Sequence, residues 1–361
     1  MFLSLVSVGS SAATIEQETL AHLDRIRAVR AGGDAKADKA YNKQMDEAWQ
    51  FFNANQKSIL PILRRELSQE LRKDNPNNLF LLDIGYYLYL HNEVSDKELG
   101  KQALFRLDTT SEIIRSNQQQ LFYFTHAVAS DKDPKLLLFL DKAFLKGKVT
   151  AFIPQHSLML DETLVCVFLY GIYGQTAELH LKPLLKDRNL TRKVIEILIW
   201  IGSPDSIQDV KAAMTASRDH ETFARATAYM MKIGGPQGRA VMLAIKPGDF
   251  DDKSQEYYEK VRKDIGTISY SILRKQFTGI PGIAKLSGGE LKKRLSAMYE
   301  NYGKDDEISP EAVLNSDLPR DFLINELIRI RSRMFYRLSD EALSDVVMTN
   351  AIMNTLYYKN Q

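Results

Sequence analysis

IEILIWIGSPDSIQDVKAAM, residues 195–214, is the stretch from which the fold of this chain is read. An apolar helix runs through Ile197, Leu198, Ile199, Trp200 and Ile201 and stops at Gly202. Glycine is the residue that tolerates the left-handed backbone closing a helix, which lets the chain reverse and pack antiparallel. Ser203 and Pro204 follow, a capping side chain set before a residue whose missing N–H costs nothing in a first helical turn. Ile207 to Met214 then reads as a second helix. The unit is a helical hairpin with a short polar turn.

The same order recurs on both sides. Leu169 to Gly174 ends an apolar helix, Gln175-Thr176 turns, and Leu179 to Leu185 begins the return. Met230 to Gly234 ends another, Gly235-Pro236-Gln237 turns, and Ala240 to Ile245 returns. First helices start near Leu79, Gln118, Leu158, Leu190 and His220, a period of roughly 30–40 residues and so within the range of helical repeats. Asp133-Pro134 repeats the capped proline start, and Ser95 with Glu98 reads as a capping box.

The segments IEILIWIGSPDSIQDVKAAM and ARATAYMMKIGGPQGRAVMLAI, residues 224–245, resemble HEAT-like repeats, in which an apolar helix ends in glycine, a Pro/Asp turn follows and a second helix opens. The resemblance covers about residues 158–247 and extends less regularly back to 79. It implies an α-solenoid of stacked antiparallel hairpins and a binding scaffold, without naming a ligand, because such repeats host many partners.

Residues 14–78 read as an N-terminal helical cap of three polar-rich helices, the third carrying Pro61 in its first turn. Residues 79–250 form the repeats, and residues 251–361 an irregular helical third that includes the amphipathic stretch Asp321 to Leu338. The fold class expected is therefore all-α, a HEAT-like solenoid with a helical cap and an irregular end.

Met1 to Val8 is short and apolar, and Ser11 and Ala13 offer the small −3 and −1 residues of a cleavage site, although no basic residue precedes them. Residues 1–13 are thus expected to be the remnant of a signal peptide and the protein to be exported, periplasmic or secreted, with a cytoplasmic location as the alternative. No later run reaches the ~20 apolar residues of a membrane span.

Lys plus Arg number 48 against 46 for Asp plus Glu across 361 residues, a formal charge of +2, which argues against a nucleic-acid partner held by basic excess. The lone Cys166 lies in an apolar run and reads as a small buried hydrophobe, so no disulfide and no thiolate metal cluster is expected. The histidines show no compact metal spacing; His156 with Asp161 and Glu162, and Asp219-His220-Glu221, are the nearest approaches, and no metal or cofactor is expected. Leu286 to Glu290 matches an ATPase signature loop but has no phosphate-binding GxxxxGK[ST] partner, so it reads as a turn. Asp83, within an apolar helix, reads as an inter-helix hydrogen bond or salt bridge, and the aromatic clusters around Tyr86 and Phe122 read as core.

No catalytic residue is expected. The binding candidates are polar positions of the second helices, Lys135, Lys142, Lys182, Lys186 and Lys211, which as a stripe would receive an acidic partner. The function expected is a non-enzymatic scaffold presenting a curved surface to a protein or polymer. The alternatives are a polysaccharide-active enzyme on a helical toroid, or an inhibitor or immunity-type protein binder.

Overall fold

The computed structural model describes residues 12–29, 35–91, 93–153, 158–217, 219–246, 248, 251–267 and 320–336, with seven further single positions between 345 and 356. Met1–Ser11, His156 and the Leu286–Glu290 loop lie outside the described residues. Among the described residues the chain is all-helical apart from one antiparallel ribbon of two three-residue strands, and it divides into two compact units, Met1–Asp131 and Lys132–Gln361.

In the first unit the helices are α1 (Ala12–Ala28), α2 (Ala35–Ala54), α3 (Gln56–Leu71), α4 (Asn78–Leu90), α5 (Val94–Arg106), α6 (Glu112–Ser116) and α7 (Gln118–Ala129). The closest pair is α4 and α5. They meet at small residues: a Cβ on Gly85 would lie 2.7 Å from the Ala103 Cβ, and one on Gly100 would lie 2.7 Å from the Gly85 carbonyl oxygen. Leu79 to Ile84 are all buried, Asp83 among them, so the first half of α4 is enclosed on every side at the centre of this unit. Asn77 caps it by accepting the Phe80 N–H at 3.0 Å.

Ion pairs tie α1, α3 and α5 together. Arg27 of α1 reaches Glu66 at 2.9 Å and Glu70 at 3.4 Å on α3, and stacks over the Phe80 ring at 4.2 Å. Arg64 of α3 holds the wholly buried Asp96 of α5 at 2.9 Å and also engages Glu93. Helix α5 starts at Val94, one residue ahead of Ser95, so the capping box expected there does not form. Glu93 takes the cap position, and Asp96 in the first turn is spent on Arg64.

In the second unit α8 (Lys135–Leu140) runs into a π-helical turn, Asp141–Leu145. The ribbon β1 (Ala151–Ile153) and β2 (Leu158–Leu160) follows, paired antiparallel with Ala151 opposite Leu160. The first helix expected near Leu158 therefore begins later, at Glu162, because Leu158 to Leu160 pair as a strand. Next come α9 (Glu162–Gly171), α10 (Gln175–Leu181) with a 3-10 extension Lys182–Lys186, α11 (Thr191–Ile201), a 3-10 turn Pro204–Ser206, α12 (Ile207–Ser217), α13 (His220–Lys232), α14 (Gly235–Leu243), α15 (Asp252–Thr267) and α16 (Arg320–Met334).

The contacts of these helices follow their order in the chain. Helices α9, α11, α13 and α15 each pack on the next, and the extension of α10, then α12, then α14 pack as a second series. Val194, Ile195, Ile197, Leu198 and Ile199 of α11 are buried between its neighbours, each such side chain contributing about 1.5–3 kcal/mol of hydrophobic free energy. Helix α16 lies against the first series: Phe335 stacks edge-on to Phe168 at 6.3 Å, and a Cβ on Gly171 would strike the Phe335 ring at 2.5 Å.

Gly174 closes the hairpin after α9 at φ +54°, a region that other residues avoid. At Gly202 the left-handed conformation expected there is not adopted. Its backbone is extended, because Ser203 must stand clear of α11 to cap the next turn, where it accepts the Asp205 N–H at 3.2 Å.

Candidate functional site

The five candidate lysines all lie on the second series and the segments leading into it. Lys135 and Lys142 are exposed on α8 and its π-turn, Lys186 is exposed at the end of the α10 extension, and Lys211 is half-buried on α12. None of these four makes an ion pair with a described residue. Lys182 differs. It donates to the Asp205 carbonyl oxygen at 3.1 Å and lies 3.9 Å from the Asp209 carboxylate, so it ties α10 to α12.

Side-chain phase arranges these residues. Lys135 and Leu138 share a face of α8, with Lys142 on the π-turn that follows; beyond Leu179 the 3-10 geometry of Lys182–Lys186 turns Lys186 about 120° away from Lys182. Leu138 is 69% exposed and Leu179 61%, and Leu243 on α14 is 49% exposed. Exposed lysines and an exposed leucine thus occur both on α8 with its π-turn and on α10 with its extension.

The first series carries a different surface. Glu162 of α9 faces Lys193 of α11 at 3.8 Å, Arg192 of α11 pairs with Glu221 of α13, and Glu196 of α11 faces Arg225 of α13 at 3.5 Å. Charges on neighbouring first helices neutralise one another.

Three clusters that the sequence did not announce lie inside the second unit. On the π-turn, Asp141 accepts the Tyr170 hydroxyl at 2.7 Å and sits 2.9 Å from His180 Nε2. Lys193 closes the same turn by donating to the carbonyl oxygens of Phe144, Leu145 and Gly147 at 3.1–3.3 Å. π-Turns recur at functional sites, and an Asp–His pair is the orienting half of an acid–base system. Its chemistry stops there. Burial, followed by the Asp141 charge, holds the Tyr170 hydroxyl well above its ordinary range, so it remains a donor. The neighbouring Cys166 is fully buried, and burial pushes its thiol up to about 12, so it is not an activated nucleophile. The trio fastens the π-turn to α9 and α10.

The second cluster centres on Glu178, 2% exposed on α10, which accepts from Ser203 Oγ at 3.0 Å, Ser203 N at 3.3 Å and the Ser206 hydroxyl. Tyr229 donates to the Ser203 carbonyl oxygen from α13. The third is Arg331 of α16, which donates to the Ile199 carbonyl oxygen at 2.6 Å and the Gly202 carbonyl oxygen at 3.4 Å, capping the end of α11. Burial pushes the Arg331 guanidinium down to about 9, against the pull of Tyr229 and Glu178. Both ions were findable from phase. Glu178 shares a face with Leu181 and Leu185, and Arg331 stands four residues after Leu327 and three before Met334.

Sequence neighbours that looked like ligand sets are dispersed. Asp219 caps α13 by accepting the Thr222 N–H at 2.9 Å, His220 stacks edge-on to Tyr257 at 5.7 Å, and Glu221 faces Arg192. Asp161 caps α9 through the N–H groups of Thr163 and Leu164. Asp83, wholly buried, accepts from Gln120. Among the described residues no group of three His, Cys, Asp or Glu side chains is placed to hold a metal ion, and no helix is long and apolar enough to cross a membrane.

Compared with known proteins, the chain matches no family model, no curated protein and no solved structure.

Proposed function

We propose that this chain is a non-enzymatic binding scaffold whose second unit is a HEAT-like solenoid that receives a protein partner on its second helices. The solenoid reading is supported by the two contact series, α9–α11–α13–α15 and α10–α12–α14, each following chain order as stacked hairpins do. The observation that carries the function is the contrast between them. First helices pair their charges with one another, whereas Lys135 and Lys142 on α8 and its π-turn and Lys186 on the α10 extension stay exposed, as do Leu138 and Leu179 on the same segments. We read these exposed leucines and lysines as the surface that a partner covers. We also propose export, supported by Met1 to Ala13; N-terminal sequencing of the protein from the extracellular or periplasmic fraction tests it, and an intact Met1 in the cytosol refutes it.

The test of the scaffold is a paired affinity capture from an envelope extract of the source organism. The full chain serves as bait beside two variants, Leu138→Ser/Leu179→Ser/Lys186→Gln on the second helices and Arg192→Gln/Glu221→Gln on the first. A stoichiometric partner retained by the wild type and the first-helix variant and lost from the second-helix variant is the expected result. Capture of nothing by the wild type, or equal capture by all three, refutes the proposal.

A further inference from the structure

We infer that α2 is a mild-acid latch on the first unit, held while His22 and His91 are neutral and released when both take a proton. The latch belongs to the first unit and stands apart from the surface proposed for the second.

Helix α2 is fastened differently from its neighbours. Ion pairs tie α1 to α3 and α3 to α5. Among the described residues no ion pair joins α2 to another helix, and the one side-chain hydrogen bond that does so runs from the Tyr87 hydroxyl of α4 to Asn53 Oδ1 at 3.2 Å. What remains is a row of rings. Phe51 and Phe52 of α2 lie 5.1 and 6.0 Å from the His22 ring of α1. Trp49 and Phe52 lie 5.0 and 5.4 Å from Tyr87, and Tyr87 lies 4.4 Å from His91, just past α4. A histidine therefore stands at each end of the aromatic contact that holds α2.

Neither ring is placed to carry charge. His22 has no hydrogen-bond partner among the described residues. Burial, and after it the Arg25 cation, hold its ring below the ordinary value of 6.5, against the pull of Glu47 and Glu18. From α3, Glu66 and Glu70 turn to Arg27, and Asp83, the one acid of α4, accepts from Gln120. At His91 the Gln56 amide nitrogen faces Nδ1, which places the ring proton on Nε2, and Nε2 is buried without a partner among the described residues. Burial lowers this ring too, with Arg64 adding to it; Asp96 and Glu93 pull the other way, but both are engaged by Arg64. A second proton sits at Nδ1, against the Gln56 N–H. The exposed amide can turn its oxygen inward, yet the Nε2 end of the cation stays dry and unpaired, the costly state for a charge. The rings of Phe51 and Tyr87 offer a cation only modest attraction, which does not replace lost hydration.

A histidine held below its unfolded value supports the fold above that value and withdraws its support as pH falls through 6.5 toward the folded one. Both ends of the row fail in the same window. The Arg27 clasp between α1 and α3 outlasts them, because Glu70 is held below 4.5. Mild acid thus frees α2 before acid unfolds the unit.

The test follows amide hydrogen exchange of the full chain from about pH 7.5 to about pH 5.5, corrected for intrinsic exchange, with Trp49 emission read in a Trp200→Phe chain. The expected result is a several-fold rise in opening across α2 and a red shift of Trp49, while α3, α4 and α11 keep their protection. The response should vanish in His22→Gln/His91→Gln, be partial in each single variant, and persist in His126→Gln, which removes the remaining histidine of the unit. Proton signals of the histidine rings in the intact chain give a second readout, with both rings titrating below 6.5, which decides the case even if the double variant loosens α2 at every pH. Flat α2 exchange over this range, or an equal response in the double variant, overturns the latch. So does titration of either ring at or above 6.5, or loosening spread evenly over α3 and α4.

Discussion

Replacing Arg331 by methionine tests whether the irregular C-terminal helix is fastened to the hairpins by one buried cation. Arg331 is 9% exposed and donates at 2.6 Å to the Ile199 carbonyl oxygen, a group at the end of α11 that the helix itself cannot satisfy. Orphaning one buried acceptor costs about 1–3 kcal/mol. Withdrawing a cation from a partly buried helix C-terminus costs up to about 2 kcal/mol more. Relief of the Arg331 desolvation offsets part of this.

We expect Arg331→Met to lose about 2–4 kcal/mol and Glu178→Gln, which weakens the acceptor of Ser203 and Ser206, about 1–3 kcal/mol. The double variant should fall short of the sum by about 0.5–1.5 kcal/mol, the Coulombic attraction between the two side chains. Trp200 on α11 reports this unit alone if Trp49, the only other tryptophan, is first changed to phenylalanine. Urea unfolding followed by its fluorescence gives all four corners of the cycle. A loss below about 1 kcal/mol in Arg331→Met would show that the cation does not fasten α16, and additive losses would show that Glu178 and Arg331 do not sense one another.

Gly171→Ala places a Cβ 2.5 Å from the Phe335 ring and should cost about 1–3 kcal/mol by overpacking, with Phe335→Leu in the same chain recovering part of the loss; no cost in the Trp200 assay would contradict the close approach of α9 and α16. Cys166 should be inert to a thiol-specific reagent at pH 8 in the native protein and react stoichiometrically in urea, because burial pushes its thiol up to about 12; fast native modification would contradict that burial. Burial alone would raise the Glu70 carboxyl, but Lys73, the Asn77 N–H and Arg27 outweigh it and hold the group below its ordinary value of 4.5. A depressed acid stabilises the fold above its unfolded pKa and loses that contribution as pH falls through the folded one. The first unit, read through Trp49 in a Trp200→Phe chain, should therefore weaken below about pH 4.5, and Glu70→Gln should flatten that decline. A decline of equal slope in the Glu70→Gln chain would assign the acid sensitivity elsewhere.

The sites of this protein were legible in proportion to how local their causes are. Lys135, Lys142 and Lys186 are exposed because their helix phase turns them from the apolar stripe, and phase can be counted along a sequence. Lys182 is drawn to Asp205 and Asp209, because α12 comes within reach only after the helices have packed. Asp141 and His180 are 39 residues apart, and Arg331 and Ile199 132 apart, and no spacing rule links them. Ser95 shows the opposite failure, where a local capping rule lost to an ion pair between Arg64 and Asp96 across two helices.

By itself the sequence determined that this chain is helical, where most helices lie and which turns reverse it, because apolar periodicity, Pro204 and Gly174 act within a few residues of themselves. It also placed Cys166 in the interior, since an unbroken apolar run leaves no polar face to turn outward. Tertiary structure alone decided that Leu158 to Leu160 pair as a strand, that Gly202 stays extended, and which charges are spent inside the fold. Those outcomes depend on what arrives from distant parts of the chain. A hydrogen bond or ion pair gains its strength from geometry and exclusion of water, and both exist only after the helices have packed.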